Sequence, residues 1–460
     1  MYRFYLNKVN NDYHYAELCR VFLSEDEFET IGIDFHNHTD IPLSSKSYIV
    51  NASGSEDRNV IKLELLRLLE TLTGRSNDWG TMTGVRPLKL AFDTLNKVGS
   101  IQEMGNSLSE VYGLADDKIN LLKELIQYQT CHVTQDASGK VGIYIGIPFC
   151  PTRCAYCAFA SNVAKDQDIE LYLTNLLKEI SYMGDLMKAH NEVIESIYIG
   201  GGTPTTLNEK QLDRLINSIE QSFAIEPANI EFTVEAGRPD TITAAKLEVL
   251  KNHGISRISI NPQTMKDETL ELIGRRHSAE DIVKGYELAS KYDFDVINAD
   301  LIAGLQGETL EDFKDSLNKV IKLGANNITV HTLSVKKGSR LIEEDPDFYR
   351  KNEERVIAMV VEARKVLREN GFYPYYMYRQ KHQIGALENI GYCREGKHSL
   401  YNIRIMEEKQ TIVGLGAGAI GKVYFPDEDR LERVPNVSNY QVYNERFHEM
   451  LERKNKYYGG

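Results

Sequence analysis

Three cysteines fall within eight residues of this sequence, in the run Pro148-Phe149-Cys150-Pro151-Thr152-Arg153-Cys154-Ala155-Tyr156-Cys157-Ala158-Phe159. Thiolates are soft ligands that favour iron–sulfur clusters or zinc. A structural zinc site takes four protein ligands, and no fourth Cys or His lies close by to complete a tetrahedron. A cubane cluster held by three thiolates leaves one iron open, where a small molecule can coordinate through an amine and a carboxylate. The other three cysteines, Cys19, Cys131 and Cys393, are scattered, unlike an extracellular disulfide framework. In a reducing compartment, the clustered three point to metal.

Other polar and glycine-rich runs recur at intervals. Gly200-Gly201-Gly202-Thr203-Pro204-Thr205 would let backbone groups approach a ligand that side chains would exclude, although alone it is equally a tight strand-to-helix turn. Thr233-Val234-Glu235-Ala236-Gly237-Arg238-Pro239, Asn261-Pro262-Gln263, Gly274-Arg275-Arg276-His277 and the stretch from Asn298 to Leu305, with Asp300, follow in turn. A lone carboxylate in such a place is more often a cap or a surface charge. Tyr144, six residues before Cys150, either enters the site or packs along its strand.

The elements that carry these runs alternate. Candidate strands at Gly142–Ile147, Ile197–Ile199, Ile230–Val234, Arg257–Ile260, Val296–Ile302 and Asn327–Val330 alternate with helical patterns such as Ile169–Met183, Glu209–Phe223 and Glu353–Asn370. Such alternation implies parallel strands joined by right-handed crossovers, as a partial (β/α)6 barrel or a doubly wound sheet. In both, chemistry sits at the C-terminal ends of the strands, where every run above falls. Residues 1–135 mix short strands and amphipathic helices and read as an N-terminal α+β domain. The polar stretch at 135–140 joins it to the barrel, 140–370, and 371–460 reads as a separate C-terminal domain of mixed structure. Gly414-Leu415-Gly416-Ala417-Gly418-Ala419 lacks the spacing and setting of a dinucleotide fingerprint.

The C-x3-C-x2-C spacing with Tyr156 before the last cysteine resembles the radical S-adenosylmethionine (SAM) superfamily. The resemblance implies a 4Fe-4S cluster on Cys150, Cys154 and Cys157, and SAM bound by Tyr144, Phe159, Gly201, Gly202, Thr203, Glu235, Gln263, Arg275 and Asp300. Within that superfamily, Tyr144-Ile145-Gly146-Ile147-Pro148-Phe149-Cys150 resembles the oxygen-independent coproporphyrinogen III oxidase group. Thr83-Gly84-Val85-Arg86-Pro87 and Tyr378-Arg379-Gln380-Lys381 resemble its HemZ-type branch, described as coproporphyrinogen dehydrogenase. The implied reaction is oxidative decarboxylation of coproporphyrinogen III to protoporphyrinogen IX in haem biosynthesis, with an electron donor such as flavodoxin or ferredoxin. Arg379 and Lys381 are candidate clamps for substrate carboxylates, with Arg86 and Arg276 as alternatives.

The chain departs from the oxidases at Phe159, where they carry a further cysteine; phenylalanine there is shared with the haem-chaperone branch. A haem-binding carrier with cluster and SAM, or a radical SAM methyltransferase acting on haem, are the alternative functions. The chaperone's haem-associated sequence is poorly matched by His398-Ser399-Leu400-Tyr401-Asn402, although Cys393 and His398 remain possible porphyrin ligands.

A net charge of −13 repels nucleic acid and anionic lipid. With 42% hydrophobic and 26% charged residues the chain has a globular composition, and no apolar run approaches the roughly 20 residues of a membrane span. The N-terminal residues have no secretory pattern, so a cytoplasmic enzyme is expected.

Overall fold

The computed structural model describes residues 1–33, 46–51, 53–84, 86–133, 137, 139–157, 162–190, 192–334, 348–380 and 384–458. The chain divides into two units, one of Met1–Gln129 with Tyr378–Lys381 and Gly385–Leu387, the other of Thr130–Met377 with His382–Ile384 and Glu388–Gly460.

In the first unit, β1 (Tyr2–Asn7) lies between β2 (Phe28–Ile33) and β3 (Ser47–Val50), parallel to both. Parallel neighbours need crossovers, and the helix Tyr13–Phe22 supplies the one between β1 and β2. Its apolar stripe, Leu18, Cys19 and Phe22, packs with Phe4 and Leu6 of β1 and with Ile61, Leu65 and Leu69 of the helix Arg58–Thr73.

The second unit is built on β4 (Lys140–Ile147), β5 (Val193–Gly201), β6 (Glu231–Glu235), β7 (Arg257–Ser259), β8 (Val296–Ala303) and β9 (Asn327–Thr332). Each pairs in parallel with the next, in chain order. Helices fill the connections, among them Asp166–His190, Glu209–Phe223, Ala279–Ala289 and Leu310–Lys322. Asn208 with Gln211, and Thr309 with Asp312, form reciprocal capping boxes that set where two of them start. This is the sequential parallel order of a partial barrel.

Side chains alternate along these strands. Ile143, Ile145, Ile197, Ile199, Phe232, Val234, Ile258, Leu301 and Val330 form one buried apolar set. The intervening positions are Tyr144, Tyr198, Glu235, Ser259, Asn298, Asp300 and His331, a continuous polar face.

Residues beyond 371 do not form the separate domain expected of them. The sheet order is β10-β11-β9-β8-β7-β6-β5-β4-β12-β13-β14, with β10 (Tyr373–Tyr378), β11 (Asn389–Cys393), β12 (Thr411–Leu415), β13 (Ile420–Phe425) and β14 (Arg430–Pro435) flanking the barrel strands. β11 runs antiparallel to β9 and β12 parallel to β4. An open six-stranded sheet has two unpaired edges, and these later strands satisfy their backbone groups. The glycine-rich run near Gly416 joins β12 to its antiparallel partner β13, a setting unlike a nucleotide-binding turn. Glu179, fully buried, accepts from Gly416 N–H, the Tyr443 hydroxyl and Asn436 Nδ2, with Lys454 Nζ at 3.7 Å. Among the described residues no helix is long and apolar enough to cross a membrane.

Candidate active site

The cysteines lie on the loop that leaves β4. Parallel pairing runs β4 and β5 together as far as Ile147 and Gly201, so the cysteine loop and the glycine run leave the sheet side by side. Backbone bonds from Gly202 N to Ile147 O (2.8 Å) and Thr203 N to Phe149 O (2.7 Å) join them. Gly201 has φ +111°, a conformation suited to glycine, and a Cβ on Gly202 would collide with the Phe149 carbonyl and come within 3.0 Å of Cys150 Sγ. Thr203 Oγ1 donates to Cys150 Sγ at 3.5 Å.

The far side of the loop rests on residues 273–275. Ala155 N donates to Ile273 O at 2.9 Å and Thr152 Oγ1 to Gly274 O at 3.3 Å. Buried Arg275 donates to Tyr156 Oη at 3.3 Å and to Asn261 O at 2.6 Å. An open cleft of about 950 Å³ borders the loop, lined by Thr152, Arg153, Arg275, Arg276 and His277 among others. Burial raises the Cys150 thiol's pKa; the Thr203 hydrogen bond opposes it, and Cys157 and Cys154 raise it further. Three thiols on one eight-residue loop are a donor set suited to three of a cubane's four irons. Among the described residues no three His, Cys, Asp or Glu side chains are placed to share one metal ion, a requirement that a cubane, with one iron per thiolate, does not impose.

On the polar face, Tyr198 donates to Glu235 Oε1 at 2.6 Å. Burial pushes the Glu235 carboxyl up to about 7, against the Tyr198 hydrogen bond, with nearby Asp300 adding to the rise. Asp300 is opposite in outcome: burial would raise it, but His331 and Asn298 hold it below the ordinary carboxylate value. Asn298 Nδ2 donates to Asp300 Oδ1 at 3.0 Å, and His331 Nε2 lies 3.7 Å from Oδ2. The two carboxylates are thus pushed in opposite directions by their surroundings. Gln263 carries φ +69° and pairs with β8, its N–H donating to Asp300 O at 2.9 Å.

Tyr144 belongs to a stack of three phenols. Its ring lies 6.2 Å from those of Tyr198 and Tyr401, which are 4.7 Å apart and nearly parallel. Tyr401 is held there because Glu231, at the start of β6, accepts from Ser399 Oγ and from the N–H groups of Leu400 and Tyr401, capping the helix Leu400–Glu407.

The expected residues thus fall into groups. Cys150, Cys154, Cys157, Gly201, Gly202, Thr203 and Arg275 gather at the cysteine loop, and Tyr144, Glu235, Gln263 and Asp300 lie along the polar face or its upper ends. Phe159 and Lys381 lie outside the described residues. Arg379 is not presented as a substrate clamp: it is buried in the first unit, with Nη1 donating to Met82 O, Nη2 to Ala386 O, and its guanidinium 5.2 Å from the Trp79 ring. A strand-end arginine in an aromatic run reads as a clamp only until its packing partners are known. Cys393 is buried on β11, while the His398 ring packs 6.4 Å from His132 and 6.5 Å from Tyr375. Sequence reasoning missed Tyr198 and Tyr401; for Tyr198 the alternation with Gly200 on β5 was an available signal.

Residues 144–320 match the family described as Radical SAM superfamily. The oxygen-independent coproporphyrinogen-III oxidase-like protein HemZ of Bacillus subtilis (strain 168) is 40% identical over 404 residues, 87% of this chain and 81% of that protein. The heme chaperone HemW of the same organism is 32% identical over 281 residues, 61% of this chain and 70% of that protein. Among solved structures, coproporphyrinogen III oxidase (HemN) from Escherichia coli, described as a radical SAM enzyme, superposes with a TM-score of 0.54 at 22% identity, over 70% of this chain and 73% of that one.

Proposed function

Because this chain belongs to the radical SAM superfamily, in the group of HemZ, we propose that it carries out oxygen-independent oxidative decarboxylation of coproporphyrinogen III to protoporphyrinogen IX in haem biosynthesis. Its cofactors are those of the superfamily, a 4Fe-4S cluster and SAM. When bound, they supply a 5'-deoxyadenosyl radical able to take a hydrogen atom from an unactivated carbon. Each propionate side chain that loses that hydrogen would then release carbon dioxide and pass one electron to a one-electron acceptor of the ferredoxin or flavodoxin class, leaving a vinyl group.

In this reading Cys150, Cys154 and Cys157 hold the cluster as thiolates. Gly201 and Gly202 keep side chains out of the space beside Cys150, so that backbone groups can meet the methionine end of SAM. Glu235 accepts from its ammonium group, whose arrival offsets the burial that raises this carboxyl. Asp300, kept ionised by His331 and Asn298, accepts from hydroxyl donors of the nucleoside. Tyr144, Tyr198 and Tyr401 exclude water from the polar face, and buried Arg275 braces the loop through Tyr156. A flavodoxin or ferredoxin supplies the reducing electron.

The observation that carries the reading is the placement of three thiols on the loop leaving the first barrel strand, next to a face with one raised and one lowered carboxylate, in a chain 40% identical to HemZ. A haem carrier is the second reading, favoured by the 32% identity to HemW and by phenylalanine rather than cysteine at position 159. Anaerobic incubation of the reduced, reconstituted protein with SAM and coproporphyrinogen III separates the two. Decarboxylation predicts 5'-deoxyadenosine together with a product lighter by two carbon dioxides and four hydrogens. Stoichiometric retention of haem with no such product would select the carrier.

A further inference from the structure

Arg238 follows Glu235 by three positions and is 3% exposed. A guanidinium so buried is stable only if its donors are used and its charge is paired. Its donors point in two directions. Nε and Nη2 donate to Oδ1 and Oδ2 of Asp240, each at 3.0 Å, in a bidentate fork that fixes the plane of the group. Nη1 donates to Oγ1 of Thr152 at 2.6 Å and to its carbonyl at 3.3 Å. Thr152 stands between Cys150 and Cys154, so a side chain from the end of β6 grips the middle of the cysteine loop. His277 Nδ1 stands 3.5 Å from Asp240 Oδ1, on the far side of the fork. The guanidinium therefore lies against the loop at a position two residues from both Cys150 and Cys154.

We infer that Arg238 is a positioning residue for the iron–sulfur cluster: through Thr152 it holds the Cys150–Cys157 loop in its ligating shape, and its fixed charge favours the reduced state. This rests on the proposal that these three thiolates hold the cluster. Reduction adds one electron and one negative charge to the cluster, with the electron coming from the one-electron donor already invoked. Within the Arg238–Asp240 pair it is the guanidinium that touches the loop, so the pair's positive end faces and stabilises that added charge. Lysine would keep the charge but cannot engage Asp240 as a fork and Thr152 at once.

Three variants of the full chain separate grip from charge: Arg238→Gln, Arg238→Lys and Thr152→Val. Two quantities are read, amide hydrogen exchange over residues 150–157 in the cluster-free protein and the midpoint potential of the reconstituted cluster followed by electron paramagnetic resonance. Loss of a charge-assisted bond predicts about tenfold or greater loss of protection in all three variants. The potential moves to more negative values in Arg238→Gln but stays near that of the unaltered protein in Arg238→Lys and Thr152→Val. Unaltered exchange in Thr152→Val overturns the positioning role, even if Arg238→Gln fails to fold. An unaltered potential in Arg238→Gln carrying a full cluster overturns the charge role. Failure of the underlying cluster reading looks different, because the unaltered chain would then yield no 4Fe-4S spectrum on reconstitution.

Discussion

The hydroxyl of Tyr198 reaches Glu235 Oε1 at 2.6 Å, from the neighbouring strand β5 to the end of β6. That bond holds down a carboxyl that burial has pushed up to about 7. If the ionised form of Glu235 receives the SAM ammonium, SAM affinity rises as pH rises through about 7. Tyr198→Phe removes the donor and moves the midpoint of that rise upward. Calorimetric titration of SAM across pH in both proteins checks it; coincident profiles would contradict it.

The same carboxyl has a stability signature without ligand. Its folded-state pKa of about 7 lies above the ordinary 4.5, so between those values the folded state binds more protons than the unfolded. Stability therefore falls as pH rises from 4.5 through 7. Glu235→Gln carries no such loss, and is expected to match the unaltered protein near pH 4.5 and exceed it above pH 7 by up to about 3 kcal/mol. Urea unfolding of cofactor-free protein at the two ends of the range measures the difference.

Gly202→Ala tests the closeness of the two loops. Its Cβ has no room beside the Phe149 carbonyl and Cys150 Sγ, so the cysteine loop must shift. A strain of about 1–3 kcal/mol is expected, together with lower iron and sulfide content after reconstitution. Iron analysis and thermal unfolding read the two effects.

Lys454 and Glu179 are both fully buried, with Nζ 3.7 Å from Oε1. Lys454→Met leaves the carboxylate without its cation and is expected to cost about 3–5 kcal/mol. The double variant Glu179→Gln/Lys454→Met should lose less than the sum of the single losses, which a double-mutant cycle by urea unfolding measures.

Arg379→Ala separates packing from substrate contact. The two carbonyls and the Trp79 ring that it holds predict a loss of about 2–4 kcal/mol in stability. Reductive SAM cleavage at a temperature where the variant is folded should be unaltered.

Much of the barrel was legible because its signal is local. The apolar alternation of Ile143, Ile145 and Ile147, repeated at Ile197 and Ile199, marks strands whichever partners they take, and the cysteine spacing is contained in eight residues. Two of the observed features depend on residues brought together from afar. Arg238 meets Thr152 across 86 positions, and Tyr401 joins Tyr198 because Glu231 caps a helix 169 residues later at Leu400. Neither pairing leaves a periodic trace. The strands β10 to β14 were missed as part of the barrel sheet because their pairing depends on which edges β4 and β9 leave open. Arg379 was misread because a basic residue among tyrosines looks the same whether it packs on a ring or faces a ligand.

In the proposed function, Cys150, Cys154 and Cys157 hold a cluster that cleaves SAM reductively. The most direct test is the yield of 5'-deoxyadenosine from SAM in the reduced, anaerobically reconstituted protein and in Cys154→Ala, with circular dichroism to show that both are folded. 5'-Deoxyadenosine is expected from the unaltered chain and none from the folded variant. SAM cleavage retained in Cys154→Ala would contradict it.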